Sequence, residues 1–205
     1  MRDGRVNTVL GVPRLYDTLV DGIDRRAAES GWIARKLYDA LVWACVFSHR
    51  RLSVPVGRVL MAPVRRRVAP ALRLLVSGGA ALDEDLAWRL DSLGWTVATG
   101  YGLTETAPIL TVLPPGDTHF ASAGKPVRGV DLRIVPDTEN GGTANAGTGE
   151  IQVRGPNVFS GYRNLPEKSR DAFTADGWYR TSDRGRLDDE GYLHVLGRSS
   201  LFVVT

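Results

Sequence analysis

The most constraining stretch of this sequence is residues 72–108, LRLLVSGGAALDEDLAWRLDSLGWTVATGYGLTETAP. Leu72, Leu74, Leu75 and Val76 form a short apolar run ending in Ser77-Gly78-Gly79-Ala80, the pattern of a buried strand feeding a glycine turn. Leu82, Leu86, Leu90 and Leu93 then recur at a spacing that lines one helix face. Asp83, Glu84 and Asp85 fill its first turn, where the helix dipole favours negative charge, and Gly94 ends it. Trp95, Val97 and Ala98 make a second strand that opens into Thr99-Gly100-Tyr101-Gly102-Leu103-Thr104-Glu105-Thr106. This order predicts two parallel strands with polar groups at their carboxyl ends, where open α/β sheets bind ligands.

The groups at that edge suit a nucleotide. Gly78, Gly79, Gly100 and Gly102 would let a ligand approach the backbone closely. Tyr101 offers a flat face for a base and a hydroxyl for its edge. Thr104 offers a hydroxyl for phosphate, and Glu105 a carboxylate for a hard cation such as Mg2+. A sheet that merely needs glycine turns, with Glu105 solvated, fits the same residues, since glycine-rich loops are weak signals.

The YGLTET block, a couple of dozen residues after SGGA, resembles the adenylate-forming (AMP-forming) ligases: acyl-CoA synthetases, luciferases and peptide-synthetase adenylation domains. The resemblance implies that Tyr101 packs on adenine, Thr104 contacts the α-phosphate and Glu105 holds Mg2+. Thr104 and Glu105 would be the catalytic residues. Gly79, Ala80 and Gly102 would border the adenylate, and Gly79 and Gly102 also the acyl channel.

Further blocks follow in the family's order. Gly124-Lys125-Pro126 resembles its G-x-P block, and Gly149-Glu150-Ile151 with Gly155-Pro156 its G-E-I block. Asp176 to Asp183, DGWYRTSD, resembles the block that normally ends T-G-D, and Gly197-Arg198 comes after it. The resemblance gives Asp183 both ribose hydroxyls and Arg198 the ribose and phosphate. A carboxylate can accept two hydrogen bonds at once, and a guanidinium presents planar donors. Two departures stand out. Ser182 replaces the usual glycine, at a cost of about 1 kcal/mol or more if φ is positive there. Ser199-Ser200 stands where relatives carry a charged hinge residue.

The N-terminal part narrows the substrate. Val6 to Val12 predicts a strand, and Pro13 the first turn of a helix with Leu15, Leu19 and Ile23 on its apolar face. A second helix, Trp32 to about His49, carries Ile33, Leu37, Leu41, Val42 and Cys45, widened by Trp43 and Phe47. It is too short and too charged to span a bilayer. It could lie on a membrane surface, although packing on the domain is commoner. Val54 to Ala71 predicts further helix, broken near Pro55 and Pro63. Thr8 to Asp17, TVLGVPRLYD, is similar to a block of long-chain acyl-CoA synthetases, which follow it with a long basic helical insertion. Residues 14–71 fill that slot. The resemblance therefore implies a long-chain fatty acid as substrate, ATP and CoA as co-substrates, and acyl-AMP as intermediate. An acyl-AMP ligase serving a carrier protein, or a non-catalytic truncated remnant, are the alternatives. The family's phosphate loop and its C-terminal domain with the catalytic lysine have no counterpart here, so an interior fragment, inactive alone, is expected; the last lysine is Lys168.

Charge and composition bound the rest. Residues 1–73 hold 14 Lys+Arg against 6 Asp+Glu, a net of +8, while residues 74–205 carry 12 against 17, a net of −5. Arg50, Arg51, Arg58, Arg65, Arg66, Arg67 and Arg73 supply half of that positive charge; a solvated face is the default, and anionic lipid an alternative. No zinc, homeodomain or RNA-binding pattern accompanies it, so nucleic acid is not expected. One cysteine, Cys45, and no secretory leader point to a cytoplasmic setting, peripheral at most to the inner face of a membrane. His49, His119 and His194 are scattered, and none is expected to act as a base. After Pro114-Pro115-Gly116, alternating runs such as VDLRIV (130–135) and EIQV (150–153) predict a small barrel or curled sheet, with residues 137–149 a polar loop. The expected fold is thus α/β, part of the large N-terminal domain of an adenylate-forming enzyme. It divides into an α/β segment with a helical insertion (1–115) and a β-barrel-like subdomain (116–205).

Overall fold

A computed structural model of the protein describes residues 6–136 and 147–198. Its contacts group into two units, Met1–Thr99 with Pro114–Phe120, and Gly100–Leu113 with Ala121–Thr205.

In the first unit β1 (Thr8–Gly11) runs into α1 (Pro13–Glu29), whose Pro13 sits in the first turn, where a missing N–H costs nothing. α2 (Trp32–Leu52), α3 (Gly57–Leu60) and α4 (Ala62–Val68) precede β2 (Leu74–Ser77). α5 (Glu84–Ser92) and β3 (Thr96–Tyr101) follow. β2 pairs in parallel with both other strands, so that Leu75 faces Val9 and Val97, and Ser77 faces Gly11 and Thr99. Asp83 caps α5 by accepting the Leu86 N–H at 3.0 Å, and Leu86, Leu90 and Leu93 are buried as their spacing requires.

The buried faces of α1 and α2 keep Ile23 and Cys45 of the expected stripes but differ from them elsewhere. On α1, Leu15 is 42% exposed, and Tyr16, Val20 and Ile23 form the contact. The Tyr16 hydroxyl decides this, lying 2.6 Å from the Val76 carbonyl oxygen and 3.1 Å from that of Val9. On α2, Trp32, Ile33, Leu37, Trp43 and Phe47 are exposed, whereas Tyr38 and Cys45 are buried. Here the anchor is Asp24 of α1, which accepts from the Tyr38 hydroxyl at 3.0 Å and from Arg89 of α5 at 2.5 Å. One carboxylate thereby ties three helices together. Burial, helped by Asp24, pushes the Tyr38 phenol up to about 12. No helix among the described residues is long and apolar enough to cross a membrane.

The basic cluster is not wholly solvated either. Arg65 donates to the Gly94 carbonyl at 2.7 Å and the Arg58 carbonyl at 2.5 Å, and burial pushes it below its ordinary value. Gly94 ends α5 with φ +86°, a conformation that glycine adopts without strain.

In the second unit a 3-10 turn spans Thr104–Thr106, and β4 (Thr111–Leu113) pairs antiparallel with β5 (Lys125–Pro126). Then come β6 (Asp131–Val135), β7 (Thr148–Arg154), α6 (Pro166–Asp171), β8 (Tyr179–Leu187) and β9 (Leu193–Arg198). β6 to β9 form an antiparallel meander in chain order, with register shifts at Glu150/Gln152 and Arg184/Gly185 that bend it. Leu110, Ile151, Val153, Tyr179 and Leu193 form its core. Residues 137–146 of the polar loop, and Ser199-Ser200, lie outside the described residues.

Ser182 has φ +60°, so the serine does occupy a left-handed position inside β8. Two stability changes follow. Tyr16→Phe should lower unfolding stability by about 1 kcal/mol through loss of the α1 anchor. Ser182→Gly should raise it by about 1 kcal/mol by relieving the left-handed strain. Denaturant midpoints of the three proteins measure both effects.

Candidate adenylate-binding site

The alternation of β8 turns Tyr179, Thr181, Asp183 and Gly185 inward. Asp183 is only 6% exposed, and its N–H donates to Thr181 Oγ1 at 3.1 Å, while Thr181 Oγ1 donates to the Ile151 carbonyl at 2.7 Å. The Tyr101 hydroxyl donates to Asp183 Oδ2 at 2.7 Å. The β8–β9 register sets Arg198 opposite Asp183, and its Nε donates to Oδ1 at 3.2 Å. Each carboxylate oxygen therefore has one protein donor and a lone pair left for a ligand. The Arg198 side chain remains 62% exposed. Burial, reinforced by Asp183, pushes the Tyr101 phenol well above its ordinary range, so it stays a donor. That hydroxyl, offered in the sequence reading to a base edge, is engaged by Asp183.

Thr104 is exposed and Glu105 half-buried on the 3-10 turn. The turn is pinned at both ends. Thr106 Oγ1 bonds both the N–H and the carbonyl of Leu103, and Asn157 Nδ2 donates to the carbonyls of Thr106 at 2.9 Å and Ile109 at 2.6 Å. Phe159 N–H donates to the Glu105 carbonyl at 2.8 Å, and the Tyr162 hydroxyl to Glu105 Oε1 at 3.1 Å. Nothing in one sequence shows which carboxylate Tyr162 will meet.

The glycines divide into two kinds. A Cβ on Gly102 would lie 1.9 Å from the Pro108 carbonyl oxygen, so the protein's own backbone needs that glycine, whereas one on Gly100 would be a tight 3.1 Å from the Thr111 carbonyl oxygen. Gly78 has open space beside it, and exposed Gly79 (φ +80°) has only Val12 Cγ1 at 3.7 Å. Gly79 and Ala80 belong to the first unit, whereas Tyr101, Gly102, Thr104, Glu105, Asp183 and Arg198 belong to the second, where Tyr101, Asp183 and Arg198 are in direct contact. The first unit also holds a feature that sequence reading missed. Ser77 and Thr99, paired at the ends of β2 and β3, carry buried hydroxyls without a hydrogen-bond partner among the described residues. The histidines sit against aspartates: His49 with Asp91 at 2.5 Å, His119 with Asp117 at 2.7 Å and His194 with Asp188 at 2.9 Å.

Comparison with known proteins places this geometry. The family model described as AMP-binding enzyme matches residues 1–163. Long-chain-fatty-acid--CoA ligase FadD15 of Mycobacterium bovis is 31% identical over 96% of this chain and 32% of its own length. Long-chain-fatty-acid--CoA ligase ACSBG1 of Bos taurus is 29% identical over 100% of this chain and 29% of its own length. Malonate--CoA ligase of Arabidopsis thaliana is 38% identical over 64% of this chain and 21% of its own. Among solved structures, apo MatB from Rhodopseudomonas palustris superposes with a TM-score of 0.65 at 28% identity, covering 98% of this chain and 32% of that one. The inhibitor-bound N-terminal domain of FACL13 from Mycobacterium tuberculosis does so at 0.60 and 28%, covering 95% and 39%. The chain spans about a third or less of the length of the curated relatives it matches. Its sheets, turn motifs and matched region together make it a member of the AMP-binding enzyme family, with the α/β fold of the N-terminal domain of adenylate-forming enzymes.

Proposed function

We propose that this chain forms part of a long-chain fatty acid–CoA ligase, which activates a fatty carboxylate with ATP to acyl-AMP and pyrophosphate, then passes the acyl group to the thiol of CoA with release of AMP. The observation that carries the reading is Asp183, a buried carboxylate held by Tyr101 and Arg198 with acceptor capacity left for a diol such as ribose. Arg198, largely exposed, would reach ribose and phosphate. Thr104 would donate to the α-phosphate, and Gly102, in the same unit, would flank the adenylate.

Glu105 fits a hard cation. It is half-buried, stands beside the exposed Thr104 hydroxyl, and among the described residues its Oε2 takes no hydrogen bond. No cluster of three or more potential ligands accompanies it among the described residues, which suits Mg2+ held mainly by phosphate and water. When bound, Mg2+ supplies charge neutralisation at the phosphates. The long-chain preference is supported by the basic helical stretch at 14–71 and by the likeness to the long-chain-fatty-acid–CoA ligases FadD15 and ACSBG1.

Calorimetric titration of the chain tests the site. AMP should bind, and Asp183→Ala should weaken it by about 1.5–3 kcal/mol, with folding followed on the same samples. A palmitoyl-adenylate analogue should bind more tightly than an acetyl one. Equal affinity of wild type and Asp183→Ala overturns the ribose assignment, and equal affinity for the two analogues overturns the long-chain preference.

The proposal extends to a cytoplasmic protein in peripheral contact with anionic membrane. Exposed Trp32, Trp43 and Phe47 beside Lys36, Arg50 and Arg51 support that contact. Binding to anionic vesicles should rise with lipid charge and fall with salt in co-sedimentation; indifference to both overturns it.

A further inference from the structure

Glu105 is held on one side. Its carbonyl accepts from Phe159 N–H at 2.8 Å, and Oε1 accepts from the Tyr162 hydroxyl at 3.1 Å. Tyr162 is itself fixed at several points. Its N–H donates to Ser169 Oγ at 2.8 Å, and Ser169 Oγ donates to the Leu165 carbonyl at 2.8 Å, so α6 clamps the turn. Gly161 has φ +140°, and a Cβ there would lie 2.9 Å from Ser169 Oγ. The Tyr162 ring meets Phe159 edge-on at 4.8 Å, and Phe159 packs in turn on Phe173 and Tyr179. The hydroxyls of buried Tyr179 and Tyr162 also interact.

We infer that Tyr162 is a positioning residue for Glu105, engaging Oε1 so that Oε2 is the oxygen presented to the divalent cation that accompanies the nucleotide. This rests on the role proposed above for Glu105. A free glutamate side chain has several rotatable bonds and must be ordered before it can bind a cation well. A fixed donor on one oxygen does that ordering beforehand and favours one-oxygen ligation, which suits the strict octahedron of Mg2+. A phenol is a suitable donor, since it is neutral. A lysine or arginine in its place would cancel the charge that attracts the cation. Pure packing by the ring would leave cation affinity independent of the hydroxyl, and that difference is measurable.

The probe is Mn2+ in the presence of ATP, read by electron paramagnetic resonance on the wild-type chain, Tyr162→Phe and Glu105→Gln. Metal-free AMP affinity and thermal unfolding are measured on the same samples. Tyr162→Phe keeps the ring and should weaken Mn2+ binding by about 10–100-fold, as loss of an outer-shell hydrogen bond does. Its metal-free AMP affinity should match wild type and the chain should stay folded, with unfolding lowered by no more than one lost hydrogen bond, and Glu105→Gln should weaken Mn2+ at least as much. Weakening in Glu105→Gln but not in Tyr162→Phe overturns the inference and leaves the role of Glu105 standing. No change in either variant, or no Mn2+–ATP binding by wild type, overturns the role of Glu105 itself. If Tyr162→Phe loses AMP binding or folding along with Mn2+, Tyr162 is a packing residue and the inference fails.

Discussion

A charged carboxylate at 6% exposure is tolerable only when it is paired and hydrogen-bonded, and the second unit is arranged around meeting that condition for Asp183. Tyr101 and Arg198 each satisfy one oxygen, and Thr181 takes the Asp183 N–H. The strand register has to agree with this. A one-residue slip of β9 against β8 would turn Arg198 to the other face and leave the carboxylate short of a partner. The site is thus a consequence of sheet register as much as of residue identity. The left-handed Ser182 next to Asp183 falls where the β7–β8 register shifts, between the Glu150–Arg184 and Gln152–Arg180 pairs, the irregular backbone expected of a bulge.

Close packing sets the second constraint. Gly100 and Gly102 look in sequence like ligand-facing glycines, yet Gly102 has the Pro108 carbonyl oxygen where a Cβ would go and Gly100 is crowded by that of Thr111. The turn that presents Thr104 and Glu105 is therefore folded tightly on itself, and Asn157 and Phe159 pin it from the following loop. Gly78 and Gly79 have the open space that the other two lack. The same residue type thus meets two different surroundings in the two blocks.

Legibility in the sequence followed how many independent signals agreed. At α5 the acidic first turn, the leucine spacing and Gly94 all pointed to one helix, and Glu84–Ser92 is where it lies. The alternation of VDLRIV and EIQV marked β6 and β7, because a half-buried strand has no other pattern. The motif blocks singled out Tyr101, Asp183 and Arg198, which meet in the fold, but not that the Tyr101 hydroxyl is engaged by Asp183. Apolar spacing alone marked Ile23 on α1 and Cys45 on α2 correctly but not Leu15, Ile33 or Leu37, which are exposed. Polar anchors, Tyr16 on the strand carbonyls and Asp24 beneath Tyr38 and Arg89, rotated both helices away from it.

What sequence reading missed shares one chemistry. Tyr38, Tyr101 and Tyr162 each give a hydroxyl to a carboxylate, respectively Asp24, Asp183 and Glu105, and Tyr16 gives one to backbone. Burial raises the phenol pKa in all four, so each remains a donor at neutral pH. Such a bond to a charged acceptor is worth about 1.5–3 kcal/mol, and the ring adds apolar burial from the same residue. A lysine could hold the same carboxylate, but it would neutralise it and would need its own charge desolvated. A tyrosine fixes the carboxylate and leaves its negative charge in place. At Asp24, already paired with Arg89, that distinction changes little. At Asp183 the charge is likewise shared with an arginine, Arg198, whereas at Glu105 the phenol orders the carboxylate and leaves its charge uncancelled, as the cation role proposed above would need.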